Sequence, residues 1–184
     1  ASFTHEYAGL GGDSDFYKVT ARARYFHLLS TEADLVGSIA VGGGHVFKTG
    51  DDLNVFDQFT IGGRQIRGFK NDGIGPRTDD HGDALGGTSY FNASAEMTMP
   101  MPLIPEDVGF RAAVFADAGS LFGNDAKTFG DKVNGTDMSI RASVGVGVMW
   151  ASPFGNLRVD YAEPVVKEDF DEKQQFRFSM ANQF

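Results

Sequence analysis

The sequence predicts an all-β protein, an antiparallel sheet curled into a transmembrane β-barrel, and three observations carry that expectation. Apolar and polar residues alternate with a period of two over runs of about 9–11 residues, the length a tilted strand needs to cross a bilayer. The connections are asymmetric: a tight turn such as 151–155 alternates with long Gly- and Asp-rich loops such as 62–85 and 122–137. Finally, 24 Gly and 17 Phe accompany a mean hydropathy of -0.22, which suits strands that face lipid on one side and water on the other. A soluble β-sandwich gives a similar composition, so the alternation and the loop asymmetry decide between them.

Bulk properties narrow the function. The 184 residues suffice for one domain with a core, or for part of a larger one. With 16 Lys+Arg against 25 Asp+Glu the formal charge is -9, which argues against nucleic-acid binding, because that needs a basic face. There is no cysteine, so neither a disulfide nor a thiolate metal site can form. No apolar run approaches the roughly 18 residues of a transmembrane helix. Ala1-Ser2-Phe3-Thr4-His5 lacks the basic start of a signal peptide, so the chain is expected to begin inside a mature protein.

Taken in order, residues 2–9 read as the end of a strand closed by the turn 9–13. Residues 16–29 put Tyr17, Val19, Ala21, Ala23 and Tyr25 on one face and Lys18, Thr20, Arg22 and Arg24 on the other. Three cations on one face suit a wet lumen better than a sandwich core. Residues 35–47 form the next strand; its Gly42-Gly43-Gly44 precedes no Lys-Ser/Thr and no helix, so it is not a phosphate loop. Residues 51–61 are a weaker strand candidate. The loop 62–85 is longer than compact domains usually tolerate, which marks it as functional or disordered. Its Asn71-Asp72-Gly73 and the acidic run 79–83 lack EF-hand spacing and read as solvated, so no metal is expected.

Residues 88–99 place Phe91, Ala93, Ala95, Met97 and Met99 outward and Asn92, Ser94, Glu96 and Thr98 inward. The prolines of 100–105 require a connection. In 110–121 the inward set is Arg111, Ala113, Phe115, Asp117 and Gly119. Residues 139–150 alternate most sharply, ending their apolar stripe on Trp150, where an interfacial aromatic girdle would want it. Leu157, Val159 and Tyr161 oppose Arg158 and Asp160. The last strand, 174–184, carries Phe176, Phe178, Met180 and Phe184 on one face, interrupted by Asn182.

Three motifs resemble a known family. Ile61-Gly62-Gly63-Arg64-Gln65-Ile66-Arg67-Gly68-Phe69 is similar to the GG-x-x-x-RGF loop of BamA-type outer-membrane insertases and their two-partner-secretion relatives. Phe115-Ala116-Asp117-Ala118-Gly119 resembles their F-x-D-x-G strand. Residues 155–162 resemble their G-P-L-R-x-D-Y-A, with Asn156 where Pro is usual. The resemblance implies a sixteen-stranded barrel behind periplasmic POTRA domains, of which this chain would hold about the last eight or nine strands. It places the loop arginine against acidic residues of the barrel wall, here Arg67 against Glu96 and Asp117. An unpaired desolvated guanidinium is costly, so the physics agrees. Gly68 would allow a sharp turn and Phe69 would wedge the loop among lumen side chains.

The implied activity is insertion and assembly of β-barrel proteins in the bacterial outer membrane, without enzyme chemistry or cofactor. The implied partners are barrel-protein substrates, the lipid bilayer and, in the full-length complex, BAM lipoproteins. Phe176, Phe178, Met180 and Phe184 would form one lip of a seam that pairs with an incoming strand. Alternatives are a two-partner-secretion or TamA-like translocation barrel and a small passive porin-like barrel. If the chain closed as a narrow barrel of about eight strands, the lumen would fill with side chains and exclude Arg67. The four histidines are scattered, and no G-x-S-x-G or His-x-x-x-His is present, so no catalytic centre is expected.

Overall fold

The computed structural model describes residues 1–8, 15–50, 53–125, 132–153 and 155–181, the side chain of Ala181 excepted. A strand in lipid must pair its backbone polar groups with neighbours while its side chains serve two media. Eight long strands do this in one antiparallel sheet: β1 (Ser2–Ala8), β2 (Phe16–Ser30), β3 (Leu35–Lys48), β4 (Ser89–Pro100), β5 (Phe110–Phe122), β6 (Arg141–Ser152), β7 (Gly155–Val166) and β8 (Phe176–Ala181). Each after β1 pairs with the strand before it in the chain, and among the described residues β1 does not pair with β8, so the sheet stays open. The narrow closed barrel is not what forms, and a single continuous sheet also excludes a sandwich.

The sheet is inside-out by the standard of a soluble protein. On β6, Val144, Val146 and Val148 are exposed while Arg141 and Ser143 are buried. On β5, Val114 is exposed while Asp117 is buried. Water-facing sheets hide their valines and expose their charges; here the apolar side faces outward, where lipid would lie, and the polar side is covered from within. The cover is chain from the long-loop end, folded onto the concave face.

Several boundaries differ from expectation. Residues 53–61 do not form a strand; Val55–Asp57 is a single 3-10 turn. The backbone N–H of Asn54 donates to Asp57 Oδ2 at 3.1 Å, a local closure that competes with extension. The loop 62–85 is ordered rather than patternless, and its Ile66, Phe69 and Ile74 build a buried cluster with Ile61, Tyr90 and Leu121. Pro100 still belongs to the ladder, opposite Arg111, because a terminal position needs no further N–H. β7 passes Pro164 by a register shift before Val166. The last strand starts at Phe176, since Lys173–Gln174 pairs elsewhere, with Gly68–Phe69. The turn 9–13, Asn182 and Phe184 lie outside the described residues.

Candidate functional site

The loop reaches the sheet through a tight local fold. The Gly62 carbonyl accepts the N–H groups of Gln65 and Ile66, each at 2.8 Å, and Gly63 N–H donates to Lys70 O at 2.9 Å. Gly68 then turns the chain at φ +94°, and a Cβ there would come within 3.2 Å of the Ala162 carbonyl and the Pro164 ring. Ile66 and Phe69, on either side of the turn, are almost wholly buried in the apolar cluster. Burying such side chains contributes about 1.5–3 kcal/mol each. Between them Arg67 is delivered onto the wall.

Arg67 lands on a four-residue patch set by register: Ser94 lies opposite Asp117, and Glu96 opposite Phe115, across β4 and β5. Asp117 accepts from Arg67 Nε at 2.7 Å, Nη2 at 2.8 Å and the Arg67 backbone N–H at 3.0 Å. Glu96 Oε2 accepts from Nη1 at 2.6 Å, and Ser94 Oγ from Nη2 at 3.2 Å. The guanidinium also lies over the Phe115 ring, 3.3 Å from its centroid. The fork-on-carboxylate geometry is the strong form of the ion pair, and it explains why Arg rather than Lys serves here.

The network runs beyond the residues singled out from sequence. Arg158 on β7 donates to Glu96 at 2.9 and 2.7 Å and, through Nε, to Asp160 at 2.9 and 2.8 Å. Glu96 therefore bridges two arginines, one from the loop and one from a strand three places along the sheet. That reach depends on Gly145 and Gly147 of β6. A Cβ on Gly145 would collide with the Phe115 ring, and one on Gly147 with the Asp160 carboxylate. The signal was present as inward glycines interleaved with inward charges, but only the strand order shows that they sit between Glu96 and Arg158. The network borders a cavity of about 900 Å³ on the concave face, also lined by Arg22, Arg24, Arg64 and Arg177.

A second attachment ties the loop to the segment before β8. Besides the Gly68–Phe69 pairing with Lys173–Gln174, Lys70 N–H donates to Glu172 O and Glu172 N–H to Gly73 O, each at 2.9 Å. Glu172 accepts from Lys70 Nζ at 2.5 Å and from Arg77 Nη1 at 2.8 Å. Those two hydrogen bonds, Lys70 first, hold the Glu172 carboxyl below its ordinary value of 4.5. A carboxyl lowered on folding contributes stability above its ordinary value and loses it as pH falls through the lowered one. The group is substantially exposed, so the effect is small. From about pH 6 to about pH 3 the protection factors of the Lys70 and Glu172 amides, corrected for the slower intrinsic exchange in acid, should fall while those of β5 amides hold. Unchanged protection factors at both pH values would show that the pair holds nothing.

The terminal stripe is placed differently from the loop. Phe176, Phe178 and Met180 are exposed on the outer face, and β8 pairs with β7 from Tyr161↔Phe176 to Asn156↔Ala181. Within the described residues, none of these side chains joins the Arg67 network.

The family model of the Omp85 superfamily domain matches residues 1–184. The chain belongs to the Omp85 superfamily. Among its Omp85-type relatives, the outer membrane protein assembly factor BamA of Neorickettsia risticii is 36% identical over 183 residues, 99% of this chain and 24% of that protein. The assembly factor BamA of Neisseria meningitidis serogroup B is 30% identical over 199 residues, 95% of this chain and 24% of that protein. The crystal structure of BamA from Haemophilus ducreyi lacking POTRA domains 1-3 superposes with a TM-score of 0.79 at 26% identity, over 92% of this chain and 35% of that one. The chain thus spans about a quarter of the length of these curated relatives.

Proposed function

We propose that this chain is the C-terminal portion of the β-barrel of an outer-membrane assembly factor. The full-length protein would carry upstream strands and POTRA domains, and would insert other β-barrel proteins into the outer membrane of a Gram-negative bacterium. It would work by strand pairing, without covalent chemistry. Its partners would be the barrel substrates, the lipid bilayer and the lipoproteins of an assembly complex. The observation that carries this reading is the double attachment of the loop. Arg67 grips the wall at Glu96 and Asp117, while Gly68–Phe69 pairs with Lys173–Gln174 at the approach to β8.

Such a brace suits a seam. A strand that must offer its edge to an incoming polypeptide needs a fixed base and a free margin, because each backbone hydrogen bond gained depends on register. In this proposal the loop holds the base of β8, and Ile66, Arg67, Gly68 and Phe69 act as its clamp. Phe176, Phe178 and Met180 keep the strand in lipid while its backbone exchanges partners. The experiment is deletion of 176–184 from the full-length protein, with POTRA folding checked separately. Assembly of other barrel proteins should fail; normal assembly would refute a seam role for this strand.

A further inference from the structure

The two described connections at the end opposite the long loops contrast sharply. Thr31 to Asp34 is a short polar turn, whereas 101–109 is apolar and proline-bearing. Ile104 N–H donates to Met101 O at 3.4 Å, closing a β-turn with Pro102 and Leu103 at its centre. Leu103 has φ +69°, the left-handed conformation that a type II turn asks of its third residue and that favours Gly or Asn. Its side chain is fully exposed, and Ile104 and Val108 are exposed beside it. A leucine there opposes local conformational preference and gains no packing within the chain.

The two sides of the turn differ in chemistry. Toward the lumen, Arg111 is paired with the Asp34 carboxylate and donates to the Asp34 carbonyl at 2.9 Å. Toward the outside, Trp150 stacks on Phe110 with ring centroids 5.3 Å apart and donates its indole N–H to Val108 O at 3.1 Å. Trp150 ends the outward stripe of Val144, Val146 and Val148, so the apolar turn continues the lipid-facing surface past its aromatic margin. Aromatic pairs at such margins mark the level of the headgroups.

We infer that the turn 101–109 is a membrane anchor, with Leu103 and Ile104 entering the boundary between headgroups and acyl chains of the adjacent leaflet. This rests on the barrel reading above. Pro102 and Pro105 fix the tip before it meets lipid, which limits the entropy lost on insertion. Glu106 and Asp107 remain exposed to the headgroup water. Contact with a soluble protein, or with another domain of the same chain, is the competing occupant. The continuity of the turn with the lipid-facing stripe favours lipid.

The test uses the full-length protein, free of other cysteines, reconstituted in phosphatidylethanolamine and phosphatidylglycerol vesicles with a single nitroxide at L103C. Labels at T31C and V146C serve as references for water and for lipid. Oxygen should relax the label at 103 more than a water-soluble nickel chelate does, at a depth between the two references. A label at 103 as open to nickel as that at 31 would overturn the anchor, as would one shielded from both reagents, which would mean protein contact. A label at 146 that is not lipid-exposed would instead sink the barrel reading.

Discussion

Arg67→Ala in the full-length protein should destabilise the barrel by about 3–5 kcal/mol, the cost of leaving a buried charge without its partner. Asp117 is the reason: its side chain is 1% exposed, and the substitution removes both hydrogen bonds it accepts from the Arg67 guanidinium, leaving only the one from the backbone N–H at that position. Glu96 would keep Arg158 and lose less. Arg67→Lys should recover only part of the loss, since an ammonium cannot span Asp117, Glu96 and Ser94 together or stack on Phe115. Arg67→Met with Asp117→Leu should be milder than Arg67→Ala, because it removes both charges at once. The urea midpoint of the heat-modifiable band in detergent measures all three. An Arg67→Ala midpoint equal to wild type would show that the ion pair contributes nothing to stability, and would take away the clamp.

The second large effect lies at the pair Arg141 and Asp171. Both side chains are 0% exposed, joined through Nε at 2.9 Å and Nη2 at 3.1 Å. Arg141 also donates to Ser139 O at 2.7 Å, and Asp171 accepts the Glu168 N–H at 2.8 Å. Phe170 lies beside the guanidinium, 5.6 Å from centroid to charge. Asp171→Ala should therefore cost about 3–5 kcal/mol and release the segment 167–175 from the wall. Limited proteolysis in that segment should accelerate in step. Arg141→Met combined with Asp171→Leu should restore most of the protection. If it does not, the pair serves geometry that an apolar substitute cannot reproduce.

These two nodes separate what was legible in the chain from what was not. Glu96 and Asp117 stood out because each is a charge at a position where the alternation demands an inward side chain, and the resemblance of the loop motif set Arg67 against them. The loop around Arg67 added Ile66 and Phe69, residues with little use in a solvated loop. Arg158 and Asp160 carried the same inward signature on β7, but nothing nearby in sequence connects them to Glu96. The Arg141–Asp171 pair was hidden more deeply. Its aspartate sits in the acidic run 167–173, where no alternation marks an inward position, and it is buried because the segment folds back over β6.

What the sequence by itself determined is the two-faced character of the strands. Side-chain direction in a strand repeats every two residues, so Val144, Val146 and Val148 must share a face opposed to Arg141 and Ser143 wherever the strand is placed. What only the tertiary structure decided is which charges meet. Glu96 reaches Arg158 because β4, β5, β6 and β7 stand side by side in register and because Gly145 and Gly147 leave the space between them open. Lys173–Gln174 leaves the last strand because Gly68–Phe69 offers it a competing edge. Pairing of that kind depends on distances in space between residues far apart in the chain, and a period of two carries no information about it.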